Sequence, residues 1–246
     1  MNYVDTDLLE RSKTKTQDNQ PDTEPKKRGT AYLLLKRCFD LIASFCAVIV
    51  LLIPMMIIAL VIMIKDFGSP FYMQERVGEN GKAFKMLKFR SMRKGADKLE
   101  AMLTQEELEQ YRREYKLDND PRLIGYKRFG DGQNCFGAIV RRTSLDELPQ
   151  ILWNVLIQGN MSLVGPRPIL KEELEENYTE EEQALLLSVK PGLTGYWQAY
   201  ARNNASYITG ERQRMELYYV KNASFWLDLK IIFATISAVV FKIGAK

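Results

Sequence analysis

The stretch from Ile139 to Pro168, IVRRTSLDELPQILWNVLIQGNMSLVGPRP, gathers the residue types that phosphate chemistry needs. Arg141 and Arg142 stand just ahead of an adjacent carboxylate pair, Asp146 and Glu147, and Arg167 follows between Pro166 and Pro168. Cations hold an anionic group, while a carboxylate attacks phosphorus or ligates a metal ion. Beside two arginines at a helix N-terminus, Asp146 is expected to have a lowered pKa and to stay ionised. An ionised aspartate can attack phosphorus to give an aspartyl-phosphate type intermediate. Its neighbour is then free to ligate Mg²⁺, which takes one or two carboxylates plus phosphate oxygens and water. The prolines around Arg167 fix φ on both sides and present its guanidinium from a pre-ordered backbone. Each feature also has a purely structural reading. Ser144-Leu145-Asp146-Glu147 matches a capping box, and acids in a first turn complement the helix dipole. Pro149 falls late for a first-turn proline, so this helix start is expected to be irregular.

Composition narrows the chemistry. The chain has 246 residues, enough for one compact domain with appendages. It contains no histidine, which excludes Ser-His-Asp and Cys-His arrangements and the HExxH zinc site. Covalent chemistry is left to a carboxylate, a hydroxyl, a lysine or an unassisted thiol. Cys38, Cys46 and Cys135 have no metal-ligand spacing and form no even set, as in a reducing compartment. A net charge of +4 argues against a dedicated nucleic-acid binder.

Residues 1–29 are polar and read as a disordered tail without a signal-peptide layout. From Leu41 to Ile64 the chain is apolar except for Ser44 and Pro54, a run of 24 residues, long enough to cross a bilayer core. A simple transmembrane anchor is one reading. Pro54 sits mid-run, however, where it kinks a helix. Both flanks are basic: Lys26, Lys27, Arg28, Lys36 and Arg37 before, then Lys65, Arg76, Lys82, Lys85, Lys88, Arg90 and Arg93 after. The positive-inside rule favours both ends on the cytoplasmic side, as in a kinked helix that enters and leaves by one face.

Ser69 to Arg90 reads as a β-hairpin turning at Asn80-Gly81. The pattern is helical from Arg93 to Lys116, and Gly125 to Gly137 is a loop. Leu145, Leu148, Ile151, Leu152 and Val155 continue at helical spacing after the acid pair. Glu172 to Leu187 is an acidic pattern expected to form a solvated surface helix. Lys190 to Arg202 is an irregular loop whose Tyr196 and Trp197 could stack a base, or else pack as interfacial aromatics or sit at headgroup level. Phe225 to Phe241 suits an interfacial helix.

Four motifs together, KFRSM at 88–92, RRTSLDELPQ at 141–150, MSLVGPRP at 161–168 and KPGLTGYWQ at 190–198, resemble the bacterial sugar transferases. These are the monotopic phosphoglycosyl transferases, or polyprenyl-phosphate hexose-1-phosphate transferases. The resemblance runs from about Lys36 to the C-terminus and matches the small, single-module form. It implies a mostly α-helical, monotopic membrane protein with a small β-hairpin and a re-entrant helix, kinked here at Pro54. The domains would be a tail at 1–30, the membrane helix at 31–66 and a cytoplasmic catalytic domain with interfacial helices at 67–246.

The same resemblance makes Asp146 the nucleophile on a UDP-sugar, releasing UMP, with undecaprenyl phosphate then attacking the adduct at the cytoplasmic face of the inner membrane. Glu147 assists, and Mg²⁺ binds at Asp146 and Glu147. Arg141, Arg167, Lys88 and Arg90 match basic residues around the phosphates, and Gln198 and Arg202 match nucleotide or sugar contacts. The product would start an exopolysaccharide, capsule or glycoprotein glycan. The chain departs from the family pattern at Asn160, where many members have Asp, and at Ala201, where they have Gly before Arg. Residues 124–136 also form a longer link than usual. Two other classes stay open: a membrane-anchored protein that binds a nucleotide sugar or lipid phosphate without turnover, and a tethered phosphohydrolase.

Overall fold

The computed structural model describes residues 28–114, 117, 119–127, 134–201 and 210–240. Most of the expected tail lies outside these residues, as do Arg202 and the middle of the 124–136 loop.

Helix α1 (Thr30–Asp66) is built almost wholly from Leu, Ile, Val, Met and Ala over its middle turns, and it runs unbroken through Pro54. At 37 residues it is roughly 55 Å long, well beyond the ~30 Å of a hydrocarbon core. Its most apolar 18-residue window has a mean hydropathy of 3.3, and only 11% of that window is buried. Ile49, Val50, Leu52 and Ile53 are all exposed. An apolar surface of this extent suits a bilayer and not water.

Both ends of α1 are tied to the same body. Near the N-terminus, Lys36 Nζ lies 2.8 Å from Asp228 Oδ2 and the Tyr32 hydroxyl donates to the same carboxylate. Arg37 donates to the Val155 carbonyl, and Asp40 accepts from the Leu163 N–H. At the far end, Asp66 Oδ2 is 3.2 Å from Arg90. Between these anchors, residues 45–54 contain no buried side chain.

The hairpin pairs β1 (Phe71–Val77) with β2 (Ala83–Phe89) in antiparallel register, Phe71 facing Phe89 and Tyr72 facing Lys88. Asn80 and Gly81 both take positive φ in the turn, which Asn and Gly tolerate best. Beyond it come the single turn α2 (Leu99–Met102), α3 (Gln105–Glu114) and α4 (Phe136–Arg142). The helical pattern expected from Arg93 therefore starts later, at Leu99, after a series of turns.

A second, two-stranded sheet was not legible in the sequence. It pairs β3 (Ser162–Val164) with β4 (Gly192–Thr194) in parallel. The two backbones approach so closely that a Cβ on Gly192 would collide with Gly165. Three-residue strands carry too little alternation to be recognised. The acidic pattern at 172–187 forms two helices, α5 (Lys171–Asn177) and α6 (Glu180–Leu186), split where Thr179 caps α6 with Glu182. They are not simply solvated: Leu174, Leu185 and Leu186 enter the main core with Val164, Ile169, Tyr219 and Ile231. The core is closed by α7 (Tyr196–Tyr200), α8 (Glu211–Asn222) and α9 (Phe225–Val240). Helix α9 buries Asp228 and exposes Trp226, Phe233 and Ile236, an amphipathic arrangement suited to a membrane surface.

The run after the acid pair is a π-helix, Ile151–Ile157, and not a regular α-helix. Asn154, fully buried within it, accepts from the Leu87 N–H at 3.0 Å and donates to the Lys85 carbonyl at 2.9 Å. It also donates to Asn160 Oδ1, so the residue that departs from the family pattern completes this buried amide pair. Asn154 thereby locks β2 to the segment that follows the dyad. Replacing it by Leu keeps the branched shape but leaves two part-buried backbone groups without their protein partner, at up to about 1–3 kcal/mol each. The Asn154→Leu variant is expected to lose about 2–4 kcal/mol of stability in a denaturant titration of detergent-solubilised protein. An unchanged midpoint would refute this role.

Candidate active site

The acid pair stands on a short, strained connection. Ser144 adopts the left-handed conformation, φ 56° and ψ 20°, unusual for a residue with a side chain. Leu145–Glu147 then forms one 3-10 turn. The capping box expected at Ser144 is not formed, because a left-handed residue cannot take the extended cap geometry. Glu147 turns instead toward β2, where its Oε1 lies 2.9 Å from Lys88 Nζ. Leu145 and Leu148, on either side of the acids, pack with Met55, Ile58 and Ile62 of α1 and with Phe89, Ile124 and Phe136.

This packing changes the electrostatics of Asp146. Burial pushes its carboxyl up to about 6, outweighing the downward pull of Lys88; Glu147 pushes the same way as burial, and Arg141 opposes it. The expectation of a depressed pKa is therefore reversed. The 3-10 turn is too short to carry a macrodipole, and Arg141 and Arg142 are exposed at the end of α4, where water screens them. At neutral pH Asp146 is still mostly ionised, yet more basic than an ordinary aspartate. That combination suits a nucleophile.

A cleft opens beside Glu147, lined by Arg76, Lys88, Glu147, Gln150, Arg167 and Gln198 among others, while Asp146 is not one of its lining residues. Lys88, Glu147, Arg167 and Gln198 were all singled out from the sequence, and the fold brings them together from β2, the 3-10 turn, the loop after β3 and α7. Arg141 acts on Asp146 from outside the cleft. Arg90 is turned away: its guanidinium contacts the carbonyl and carboxylate of Asp66 at the end of α1.

Arg167 is fixed by its backbone as well as by its prolines. Its N–H donates to Glu216 Oε2 at 3.2 Å, and the Pro166 carbonyl accepts from Gly192. Glu216 is buried, and burial pushes its carboxyl up to about 7 against the opposing pull of Arg212 and Arg167. Beneath the cleft, Glu173 lies 3.8 Å from Arg76 and 3.5 Å from Arg212. Arg212 also covers the Trp197 ring at 4.4 Å, with Arg167 at 5.8 Å. Trp197 is buried under these arginines and so is neither a free platform for a base nor a headgroup anchor.

The sequence marks Arg76 only as part of the basic flank of the apolar run, and sequence reading missed Gln150, Arg212 and Glu216. For the last two a signal existed: Arg212, Met215, Glu216, Tyr219 and Val220 share one helical face, and all are buried. Charged residues on an apolar stripe point to a buried polar network.

Among the described residues, no cluster of three or more His, Cys, Asp or Glu could hold a metal ion unaided. Asp146 and Glu147 offer two carboxylates, which suits Mg²⁺ when substrate phosphates and water complete its shell. The donor set fits that ion and does not resemble a closed structural site.

Comparison with known proteins points the same way. A family model described as bacterial sugar transferase matches residues 31–242. The chain is 42% identical over 214 residues to a UDP-galactose-lipid carrier transferase of Erwinia amylovora, an overlap of 86% of this chain and 41% of that protein. It is 40% identical over 215 residues to the exopolysaccharide production protein ExoY of Rhizobium meliloti (strain 1021), covering 86% and 88%. It is likewise 40% identical over 224 residues to an undecaprenyl-phosphate galactose phosphotransferase of Salmonella typhimurium (strain LT2), covering 89% and 43%. The chain thus spans about two-fifths of the first and third of these relatives.

The raised pKa of Asp146 has a consequence for stability. Its folded value, about 6, exceeds the ordinary 3.8, so ionisation costs native stability above pH 6 and the cost disappears below about 3.8. With a chelator present, Asp146→Asn is expected to unfold at a higher temperature than the parent at pH 7.5. The gain should shrink as pH falls from 6 toward 4. A gain that grows on acidification, or none at pH 7.5, would contradict the assignment.

Proposed function

Because this chain belongs to the bacterial sugar transferases, we propose that it transfers a sugar phosphate from a nucleotide donor to a lipid carrier in polysaccharide assembly. The donor is a UDP-sugar and the acceptor undecaprenyl phosphate. The observation that carries this reading is the position of the acid pair: its flanking leucines pack on the apolar helix while Glu147 faces a cationic cleft.

The chemistry runs in two displacements. The ionised Asp146 carboxylate attacks the β-phosphorus of the donor, an Asp–O–P bond forms, and the bond to the bridging oxygen breaks to release UMP. A phosphate oxygen of the lipid then attacks the same phosphorus, the Asp–O–P bond breaks, and the carboxylate is restored. Lys88 and Arg167 hold the diphosphate and offset charge on the departing UMP, and Arg141 adds field from outside. Lys88 also pairs with Glu147 at 2.9 Å, holding that carboxylate beside Asp146. Mg²⁺ held by Asp146 and Glu147 would neutralise phosphate charge when bound. One site serves both substrates in turn, so the soluble donor and the lipid need never be present together.

The membrane reading follows from α1. Its two ends pair with one body, through Lys36–Asp228 and Asp66–Arg90, whereas a straight crossing would carry them to opposite sides of the bilayer. On this proposal the apolar stretch around Pro54 enters the leaflet and returns, as a re-entrant helix on the cytoplasmic face of the inner membrane. The pairing of both ends with one body supports it, while α1 itself is continuous through Pro54. Trp226, Phe233 and Ile236 of α9 rest on the same surface.

The test is a turnover assay with labelled UDP-sugars and polyprenyl phosphate in detergent or nanodiscs. Label is expected in the lipid fraction with release of UMP, and Asp146→Asn should lower kcat on the order of a thousandfold or more. Free sugar phosphate without acceptor would indicate a phosphohydrolase; donor binding without UMP release would indicate a binding protein. Because the nucleophile must be deprotonated and its pKa is about 6, kcat/KM should fall about tenfold per pH unit below that value. A flat profile between pH 7 and 5 would count against Asp146.

A further inference from the structure

Two side-chain amides on the cleft wall are unsatisfied in a way the phosphate chemistry does not use. Gln150 is 2% exposed, and its Nε2 has no hydrogen-bond partner among the described residues. Gln198 donates from Nε2 to the Leu193 carbonyl at 3.3 Å, while its Oε1 is buried without a partner. One is an idle donor and the other an idle acceptor, and both residues line the cleft that holds Lys88, Glu147 and Arg167. Buried polar atoms left unpaired destabilise a fold, and in a cleft they are commonly completed by ligand.

The cations are suited to phosphate oxygens. Neutral amides are not, and a hydroxyl group answers both of them, accepting from Gln150 and donating to Gln198. Gln150 follows Asp146 by four residues and Glu147 by three, across the irregular turn that carries the dyad into the π-helix. Gln150 shares the cleft with Glu147, so the group it reads lies on the same wall as that acid. We propose that Gln150 and Gln198 form a neutral hydrogen-bonding subsite for a hydroxyl-bearing sugar of the donor, with Gln150 a specificity-determining residue. The inference rests on the sugar-phosphate transfer proposed above. Both the transferred hexose and the ribose of the nucleotide carry such hydroxyls.

The experiment compares the full-length parent with Gln150→Met, which keeps side-chain length but cannot hydrogen-bond. Donors are the best UDP-hexose, its monodeoxy analogues on the hexose, and the corresponding 2′- and 3′-deoxyuridine donors. Gln150→Met should lower kcat/KM for the complete donor about tenfold or more. For one deoxy analogue, parent and variant should be turned over equally, and that analogue identifies the sugar and the hydroxyl. The unfolding temperature of Gln150→Met should stay level or rise, because an idle buried donor has been removed. Equal loss across every donor, a fall in unfolding temperature, or unchanged kinetics would overturn the subsite. If the parent itself transfers no sugar phosphate, the functional reading fails and takes the subsite with it. Parent turnover with an indifferent variant defeats the subsite alone.

Discussion

Leu145 and Leu148 bury themselves against Met55, Ile58 and Ile62 of α1, and in doing so carry Asp146 and Glu147 to the apolar helix. Fully burying an aliphatic side chain contributes about 1.5–3 kcal/mol, so a cluster of this size can hold a strained turn in place. The left-handed Ser144 belongs to that turn. The contact also fixes where any chemistry at the acid pair must happen. A carboxylate held this way works at the boundary between an apolar helix and a polar cleft.

The same packing sets the two acids apart. Glu147 lies against Lys88 and is held as a charged partner. Asp146 has no ion pair within reach of a direct contact among the described residues, and desolvation governs it. Two neighbouring carboxylates thereby acquire different environments, one desolvated and one paired with a cation. Around them the fold repeats one device, a cation or amide fixed by backbone hydrogen bonds. Asn154 registers the strand that carries Lys88, and Glu216 holds the backbone of Arg167. Small displacements of such groups weaken catalysis strongly, so these supports matter as much as the residues they position.

The sequence made the hairpin, the long apolar helix and most of the cationic residues of the cleft legible, because each leaves a local signature. Asn80-Gly81 marks a turn, the run Leu41–Ile64 marks a long apolar helix, and the Asp146-Glu147 pair is adjacent in the chain. What stayed hidden depends on distant contacts. Ser144-Leu145-Asp146-Glu147 has the letters of a capping box, yet tertiary packing selects a 3-10 turn and then a π-helix. Tyr196 and Trp197 read equally as a stacking platform or as packed aromatics, and the choice for Trp197 is made by Arg212, distant in the chain, which folds over its ring. The pKa of Asp146 went the wrong way because nearby arginines are visible in a sequence and burial is not. Likewise β3 and β4 are three residues each, too short for a pattern, and are recognised only through their pairing.

A single measurement bears most directly on this arrangement. The full-length protein would be incubated with a UDP-sugar labelled at the β-phosphorus, in the absence of lipid acceptor, then quenched and digested for mass spectrometry. The geometry at Asp146 predicts a phosphosugar adduct on the peptide carrying that residue, discharged on addition of polyprenyl phosphate. Lipid-linked product formed with no adduct on Asp146 at any time would contradict it.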